Sequence, residues 1–159
     1  MEITSDSAHR TMTLGRLLAA VLVPGEVLCL EGELGTGKTV LVQGLARGLG
    51  LEGSVPSPTF TIIHPYQSIR LCHIDAYRLS CADELIDAGV EDFLDGEWIC
   101  AVEWADRVRG ALPSGALTLR MLFAAGDEQR VIKVEEPEGS RGWEPRLIGL
   151  EERLADFES

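Results

Sequence analysis

The sequence predicts an α/β fold with a mixed, mostly parallel central sheet, flanking helices and antiparallel edge strands. Three observations support this prediction. Val27–Leu30 and Trp98–Val102 are short, fully apolar runs, which are typical of parallel strands buried on both faces. Segments with the 3.6-residue apolar periodicity of helices alternate with such runs along the chain. A glycine-rich turn connects the first apolar run directly to one of these helices.

Two helices are predicted in the first third of the chain. The first ends near Pro24–Gly25, because proline and glycine terminate helices. Its apolar face consists of Leu14, Leu17, Leu18 and Val21. The second follows the glycine-rich turn and ends between Gly48 and Gly50. Its apolar face consists of Leu41, Leu45 and Leu49.

Two strands and a short helix are predicted in the middle of the chain. Ser54–Pro58 is predicted to be a loop, because its two prolines can neither continue a helix nor donate to a sheet. Phe60–His64 and Ile69–Ile74 are predicted strands, joined by a turn at Pro65–Ser68. Asp83–Ala88 is predicted to be a short acidic helix.

A hairpin and a final helix are predicted in the last third. Ala116–Phe123 and Arg130–Val134 flank Gly126–Asp127, so we expect them to form an antiparallel hairpin at an edge of the sheet. A helix over residues 145–157 begins at Pro145, since proline is favoured in the first helical turn. Its apolar side consists of Leu147, Leu150, Leu154 and Phe157. No motif assigns a function to this helix.

Length and composition favour a single domain over residues 1–159. The chain carries 14 Lys+Arg against 26 Asp+Glu, a formal net charge of −12. Because so acidic a surface repels phosphate backbones, direct binding to nucleic acid is not expected. The N-terminus lacks the basic and apolar regions of a signal peptide, and no apolar stretch is long enough to span a membrane. We therefore expect a cytoplasmic protein whose four cysteines stay reduced.

The glycine-rich turn matches a phosphate-binding motif. Residues 32–39 read GELGTGKT and satisfy G-x-x-x-x-G-K-[ST], the P-loop. The amides of such a loop surround nucleotide phosphates, and the following helix points its positive N-terminal end at the same anion. The residues expected to contact ATP are Glu33, Leu34, Gly35, Thr36, Gly37, Lys38 and Thr39. Lys38 is expected to be an exposed ligand of the β- and γ-phosphates, and the Thr39 hydroxyl a ligand of Mg²⁺.

Two carboxylates compete for the second acidic position of a P-loop site. Glu103 follows four apolar residues, and Asp75 ends a similar run that is interrupted by His73. If both strands are parallel to the first, both acids reach the edge of the sheet where ligands bind. We assign Glu103 to the Mg²⁺ shell and Asp75 to the attacking water or to support of Mg²⁺, although the two roles could be exchanged. Asp75 could also merely cap its strand or pair with Arg78. His73 is interpreted as a hydrogen-bonded structural histidine, since the adjacent Cys72 faces the other way.

The segment Ser57–Thr61 lies between the P-loop helix and the strand that leads to Asp75. Many P-loop proteins carry a switch for the γ-phosphate at this place, and a stiff proline loop with hydroxyl groups suits that role. An ordinary rigid connection explains the segment equally well. Our hypothesis is that ATP closes this loop and thereby forms the surface that meets partner proteins.

Four motifs together resemble one family. GELGTGKT at 32–39, SPTFT at 57–61, HIDAYRL at 73–79 and VEW at 102–104 occur in this order. This combination is similar to the TsaE (YjeE) family, the bacterial ATPase subunit for threonylcarbamoyladenosine modification of tRNA. The resemblance extends from Thr11 to about Val134. It departs from the common family pattern at Thr36, where alanine is usual, and at Ala105, where proline is usual.

The resemblance implies a compact P-loop domain that binds ATP and Mg²⁺. It implies that the protein acts together with the threonylcarbamoyl transferase and its dimerising partner protein, which modify adenosine 37 of tRNA. The protein would then contact tRNA only indirectly, through that assembly. ATP hydrolysis would reset the assembly and would not supply the transferred group. By position, Lys38, Thr39 and Glu103 match the family's ATP–Mg²⁺ residues, and Asp75 matches its second essential acid. Thr11 and Arg130 match residues near the nucleotide.

Three other classes of P-loop protein are weighed against this interpretation. A small-molecule kinase needs a second substrate pocket and an arginine-bearing lid. Arginines that could supply such a lid are Arg107, Arg109, Arg120 and Arg130, but 159 residues leave little room for both features. A GTPase is disfavoured because the chain has no asparagine for an N-K-x-D motif and no T-K-x-D in its place. A binding module that ATP switches without useful turnover is the principal non-enzyme alternative. The intact Asp75 and Glu103 argue against that alternative.

Overall fold

The computed structural model describes residues 1–53, 61–140 and 142–157. Seven strands form one mixed sheet in the order β1-β7-β6-β2-β5-β4-β3. The strands are β1 (Glu2–Ser5), β2 (Val27–Glu31), β3 (Ile63–Tyr66), β4 (Leu71–Asp75), β5 (Ile99–Glu103), β6 (Leu117–Phe123) and β7 (Arg130–Glu135). The helices are α1 (Ala8–Leu18), α2 (Lys38–Gly48), α3 (Ala82–Asp87), α4 (Glu144–Leu147) and α5 (Leu150–Asp156). The α/β fold class predicted from the sequence is confirmed.

Four parallel strands form the centre of the sheet. Strand β2 pairs in parallel with β5 and β6, and β5 pairs in parallel with β4. Strands β3 and β7 are antiparallel to their neighbours β4 and β6. Because β2, β4 and β5 run the same way, their carboxyl ends meet at one edge of the sheet, as the sequence predicted.

The hairpin formed by β6 and β7 is confirmed, but its predicted position at the edge of the sheet is wrong. Strand β1 pairs antiparallel with β7 and forms that edge. The prediction missed β1, in which Ile3 and Ser5 are fully buried while the alternate residues are exposed. Strand β6 also pairs in parallel with β2, so the hairpin connects the edge strand to the parallel centre.

Helix α1 begins at Ala8, where the Ser7 hydroxyl accepts a hydrogen bond from the Arg10 amide at 3.2 Å and caps the helix. Its regular part ends at Leu18, earlier than the predicted end near Pro24–Gly25. The chain continues in tightened turns, in which the Val21 amide donates to the Leu18 carbonyl at 3.0 Å. Val21 is still buried, which explains why the apolar spacing extends beyond the helix.

The predicted final helix is broken into α4 and α5. Gly149 adopts a φ of +77°, a left-handed conformation that interrupts the helix and turns the chain. Leu147, Leu150 and Leu154 are buried as predicted, and α5 packs against α1. Phe157 is 59% exposed, so its assignment to the apolar side was wrong.

The sheet separates two apolar layers. Alternate residues of the central strands face α1, α2 and α5 on one side and α3 with neighbouring turns on the other, so that Leu28 and Cys29 enter different layers. Within the described ranges, no helix is long and apolar enough to cross a membrane.

Strand boundaries around β3 and β4 differ from the prediction. Strand β3 begins at Ile63 and not at residue 60. Strand β4 begins at Leu71 and not at the predicted Ile69, because a 3₁₀ turn occupies Gln67–Ile69. The predicted loop Ser54–Pro58 and residues 57–60 of the predicted switch lie outside the described residues. Thr61, the last residue of that switch, is exposed.

Candidate active site

The P-loop connects β2 to α2 at the carboxyl edge of the sheet, as the sequence predicted. Gly32 has a φ of +144°, and a Cβ atom there would lie 2.3 Å from the Met121 carbonyl oxygen. No side chain fits in this position, because the neighbouring atom belongs to the backbone of β6. Gly35 and Gly37 have φ values of +82° and +100°. The loop therefore requires its glycines for geometry that other residues rarely adopt.

Lys38 folds back onto its own loop. Its Nζ donates to the carbonyl oxygens of Gly32 at 2.6 Å and of Glu33 at 2.8 Å. The Trp104 ring covers the ammonium group, with Nζ 4.2 Å from the centre of the ring. Only 4% of Lys38 is exposed, so the expectation of an exposed lysine was wrong. Burial lowers the pKa of Lys38, and the negative charge of Glu103 partly opposes this shift.

Thr39 and Glu103 are in direct contact. The Thr39 hydroxyl lies 2.9 Å from Oε1 and 3.1 Å from Oε2 of the Glu103 carboxylate. Glu103 is the last residue of β5 and is 3% exposed. Thr39 lies in the first turn of α2, so the contact joins this helix to strand β5.

Asp75 lies beside Glu103. It ends β4, and the strand register pairs it with Glu103 on β5. Its Oδ1 accepts a hydrogen bond from the Tyr77 amide at 3.0 Å. Burial raises the pKa of Asp75, and the hydrogen bond from Tyr77 partly opposes the shift. The backbone contact agrees with the strand-cap alternative, but the carboxylate also lines the same cavity as Lys38 and Glu103.

A cavity of about 330 Å³ joins these residues. Its lining comprises Leu34, Gly35, Gly37, Lys38, Thr39, Val40, Asp75, Tyr77, Glu103 and Trp104. A second cavity of about 190 Å³ shares Gly35 and Gly37 with it and is lined also by Thr11 and Arg130. All the site residues predicted from the sequence, apart from Glu33, therefore line one of two adjoining cavities.

Thr11 and Arg130 lie on the far side of the P-loop from Glu103. The Thr11 hydroxyl lies 2.8 Å from the Ser5 hydroxyl, which ties α1 to β1. Arg130 donates to the Gly35 carbonyl oxygen at 3.3 Å, and its guanidinium lies 4.7 Å from the centre of the Phe123 ring. Both residues are thus adjacent to the loop, and the contact with nucleotide that the family resemblance implies for them stays a prediction.

Comparisons with known proteins agree on one family. The model of the family described as "Threonylcarbamoyl adenosine biosynthesis protein TsaE" matches residues 5–132. The chain belongs to the TsaE family. It is 43% identical over 126 residues to the tRNA threonylcarbamoyladenosine biosynthesis protein TsaE of Bacillus subtilis, with 78% of each chain covered. The TsaE of Treponema pallidum is 35% identical over 132 residues, with 82% of this chain and 98% of that protein covered.

A solved structure has the same fold. The crystal structure of Bacillus subtilis YdiB superposes with a TM-score of 0.74 and 31% identity, covering 100% of this chain and 96% of YdiB. The match spans α4 and α5, which lie beyond the residues that the TsaE family model matches.

The residues of this TsaE-family site are suited to a nucleotide with a magnesium ion. The glycine loop and the N-terminus of the 11-residue helix α2 provide amide donors for an anion. A hydroxyl and a carboxylate in contact are the hard oxygen ligands that Mg²⁺ prefers. No group of three or more His, Cys, Asp or Glu residues that could hold a metal occurs in the part of the chain that the structure describes. A magnesium ion at this site would therefore depend on phosphate and water oxygens for its remaining ligands.

Tyr77, Trp104 and Arg107 form an aromatic and cationic cluster beside Lys38, and contact among these residues was not predicted from the sequence. Trp104 adopts a φ of +58°, which is uncommon for a bulky residue, and its ring lies 5.0 Å from the Tyr77 ring. The Arg107 guanidinium lies 4.8 Å from the Trp104 ring centre and donates to the Tyr77 carbonyl oxygen. Tyr77 and Trp104 belong to the HIDAYRL and VEW motifs, so the motifs carried the only sequence signal for this cluster.

Two arginines considered for a kinase lid have structural partners. Arg109 and Arg120 both pair with Glu31, the last residue of β2, and Arg120 also pairs with Glu135 at 3.1 Å. Glu31 is buried and directly precedes Gly32. These ion pairs support the base of the P-loop, which weakens the kinase interpretation.

Proposed function

We propose that this chain is a Mg²⁺-dependent ATPase required for the threonylcarbamoyl modification of adenosine 37 in tRNAs. Membership of the TsaE family supports the role in tRNA threonylcarbamoyladenosine biosynthesis. The contact between Thr39 and Glu103, in one cavity with Lys38 and Asp75, carries the proposal of ATP hydrolysis. The arrangement combines a phosphate loop, oxygen ligands suited to Mg²⁺ and a second carboxylate, which are the parts that phosphoryl transfer to water needs.

Each residue has a separate role in this proposal. The loop amides and Lys38 bind the β- and γ-phosphates, for which the ammonium group has to exchange the carbonyl oxygens of Gly32 and Glu33 for phosphate oxygens. Thr39 and Glu103 hold the magnesium ion, directly or through its water ligands. When bound, Mg²⁺ neutralises charge that develops on the phosphate oxygens.

Asp75 orients the attacking water in this proposal. The water oxygen bonds to the γ-phosphorus, the bond from that phosphorus to the bridging oxygen of ADP breaks, and the water proton leaves with the phosphate product or passes to the carboxylate. A half-buried carboxylate with a raised pKa is a better proton acceptor than an ordinary aspartate, which fits this position. Thr11 and Arg130 contact the nucleotide on the other side of the loop.

The proposed partners are the threonylcarbamoyl transferase and its dimerising partner protein, in the cytoplasm. The net charge of −12 makes unaided contact with tRNA unfavourable, so tRNA is met only through that assembly. All of residues 1–159 act as one domain in this proposal, including α4 and α5. The family relationship supports these statements about the partners and tRNA, and a reaction reconstituted with the two transferase proteins tests them.

The test is ADP release from Mg·ATP, measured for this protein alone and with the two transferase proteins and tRNA. We expect slow release alone and stimulation by the assembly, both lost in Glu103→Gln. Transfer of phosphate to a metabolite without release of inorganic phosphate would favour a kinase. Tight ATP binding without ADP release, with or without the assembly, would favour a nucleotide-gated binding module.

A further inference from the structure

His73 is a buried polar side chain to which the proposed mechanism gives no role. It is 0% exposed, and its Nε2 lies 2.5 Å from Oε2 of Glu103. Its other ring nitrogen, Nδ1, is buried and has no hydrogen-bond partner among the described residues. The sequence interpretation of a hydrogen-bonded structural histidine did not identify the site carboxylate as its partner.

The strand register explains why His73 reaches Glu103. Strands β4 and β5 are parallel, with His73 opposite Ala101 and Asp75 opposite Glu103. Because alternate residues of a strand share a face, these four side chains lie on the same side of the sheet. That side is the one packed against α1 and α2. The small side chain of Ala101 leaves space beside it for the imidazole ring to reach along the sheet to Glu103.

The carboxylate of Glu103 is held from two directions. The Thr39 hydroxyl bonds it from the P-loop helix, closer to Oε1, and His73 bonds Oε2 from the neighbouring strand. With Glu103 ionised, Nε2–H of His73 is the donor. The terminal torsion of a glutamate is otherwise broad, so these two contacts fix which oxygen faces the P-loop.

Packing alone does not account for a histidine at this position. A buried nitrogen without a partner is unfavourable, and an apolar residue would avoid that loss. Leu71 and Ile74 on the same strand are fully buried apolar residues of this kind. The contact with Glu103 is therefore the feature of His73 that an apolar residue could not replace.

We propose that His73 is a positioning residue, which holds the Glu103 carboxylate in the orientation that a magnesium ion bound with nucleotide requires. Mg²⁺ demands near-ideal octahedral geometry, so a carboxylate free to rotate binds it, or its water ligands, less well. The inference rests on the proposed magnesium site at Thr39 and Glu103. It concerns affinity for the ion and assigns His73 no contact with ATP.

Two variants of similar length separate the hydrogen bond from the filling of space. His73→Gln retains an N–H donor at a similar distance from the backbone, whereas His73→Met has none. Calorimetry measures the affinity for a non-hydrolysable ATP analogue in EDTA and across a series of MgCl₂ concentrations. For His73→Met we expect the MgCl₂ concentration at half-maximal effect to rise by on the order of tenfold, with unchanged affinity in EDTA. His73→Gln should restore most of the wild-type dependence.

Ile74→Val is the matched control, because Ile74 is buried on the same strand and faces the opposite layer. It should keep the wild-type dependence on MgCl₂. The inference is overturned if His73→Met also keeps it, or if Met and Gln shift it equally. If His73→Met does not fold, His73→Leu makes the same comparison with Gln. A wild-type protein whose nucleotide affinity ignores MgCl₂ would instead contradict the proposed magnesium site itself.

Discussion

The close contact between α1 and α2 predicts the effect of one methyl group on both stability and nucleotide binding. Gly44 on α2 lies against α1, and a Cβ atom there would be 2.0 Å from the Met12 carbonyl oxygen and 2.8 Å from its carbonyl carbon. These are backbone atoms of a helix, so no side-chain rotation relieves the clash. For a normal contact the helices would have to separate by more than about 1 Å.

Two effects of Gly44→Ala oppose each other. Alanine favours the helical state over glycine by about 1 kcal/mol. Overpacking a tight interior costs about 1–3 kcal/mol, and contacts between rigid backbones lie at the upper end of that range. We therefore expect a net loss of about 2 kcal/mol in the free energy of unfolding, with a fall in Tm of roughly 4–8 °C for a chain of this size. Because α2 begins at Lys38, its displacement should also weaken nucleotide binding.

Urea unfolding followed by circular dichroism measures this loss, and calorimetry with an ATP analogue measures the affinity. Gly115→Ala is the control, because a Cβ atom there has no neighbour within 4 Å. It should change the free energy of unfolding by less than about 0.5 kcal/mol. A Gly44→Ala protein as stable as the wild type, or more stable, would refute the close packing of the two helices.

Three further predictions follow from burial. Lys38→Met should abolish nucleotide binding in calorimetry yet leave the urea midpoint nearly unchanged, because the free-energy cost of burying the ammonium group offsets its hydrogen bonds to Gly32 and Glu33. Retained binding would contradict the site. Leu154→Ala, at a fully buried position of α5, should lower the free energy of unfolding by about 2–5 kcal/mol, because it leaves a cavity in the core. An unchanged urea midpoint would show that α5 does not contribute to the core. In the folded protein one thiol, that of Cys81, should react rapidly with a thiol reagent, whereas all four thiols should react in urea. The difference is expected because Cys29, Cys72 and Cys100 are buried, and burial raises the pKa of Cys29 to about 11. Rapid reaction of a second thiol without denaturant would contradict the buried positions.

Features that depend on neighbouring residues in the chain could be predicted from the sequence. The succession of β2, P-loop and α2 follows from a local pattern of apolar run, glycines and helical spacing. The meeting of Asp75 and Glu103 followed from one general rule about the carboxyl ends of parallel strands. Both therefore required no knowledge of the side-chain packing.

Features that depend on distant pairing could not be predicted. The four-residue strand β1 is defined by its pairing with β7, more than a hundred residues away. The break of the last helix at Gly149 could not be predicted either, because the apolar spacing of Leu147, Leu150 and Leu154 continues across it as in one helix. The contact of His73 with Glu103 depends on the register of β4 against β5, which no local pattern reveals.

The central claim is that ATP hydrolysis at Thr39 and Glu103 is required for repeated tRNA modification by the transferase assembly. The most direct measurement is the number of threonylcarbamoyladenosines formed per transferase assembly, in a reconstituted reaction with excess tRNA and either wild-type protein or Glu103→Gln. If hydrolysis resets the assembly between turnovers, as the resemblance to the family implies, the wild type should give many modified tRNAs per assembly and the variant no more than about one. Equal yields with the two proteins, when the variant releases no ADP, would contradict the claim.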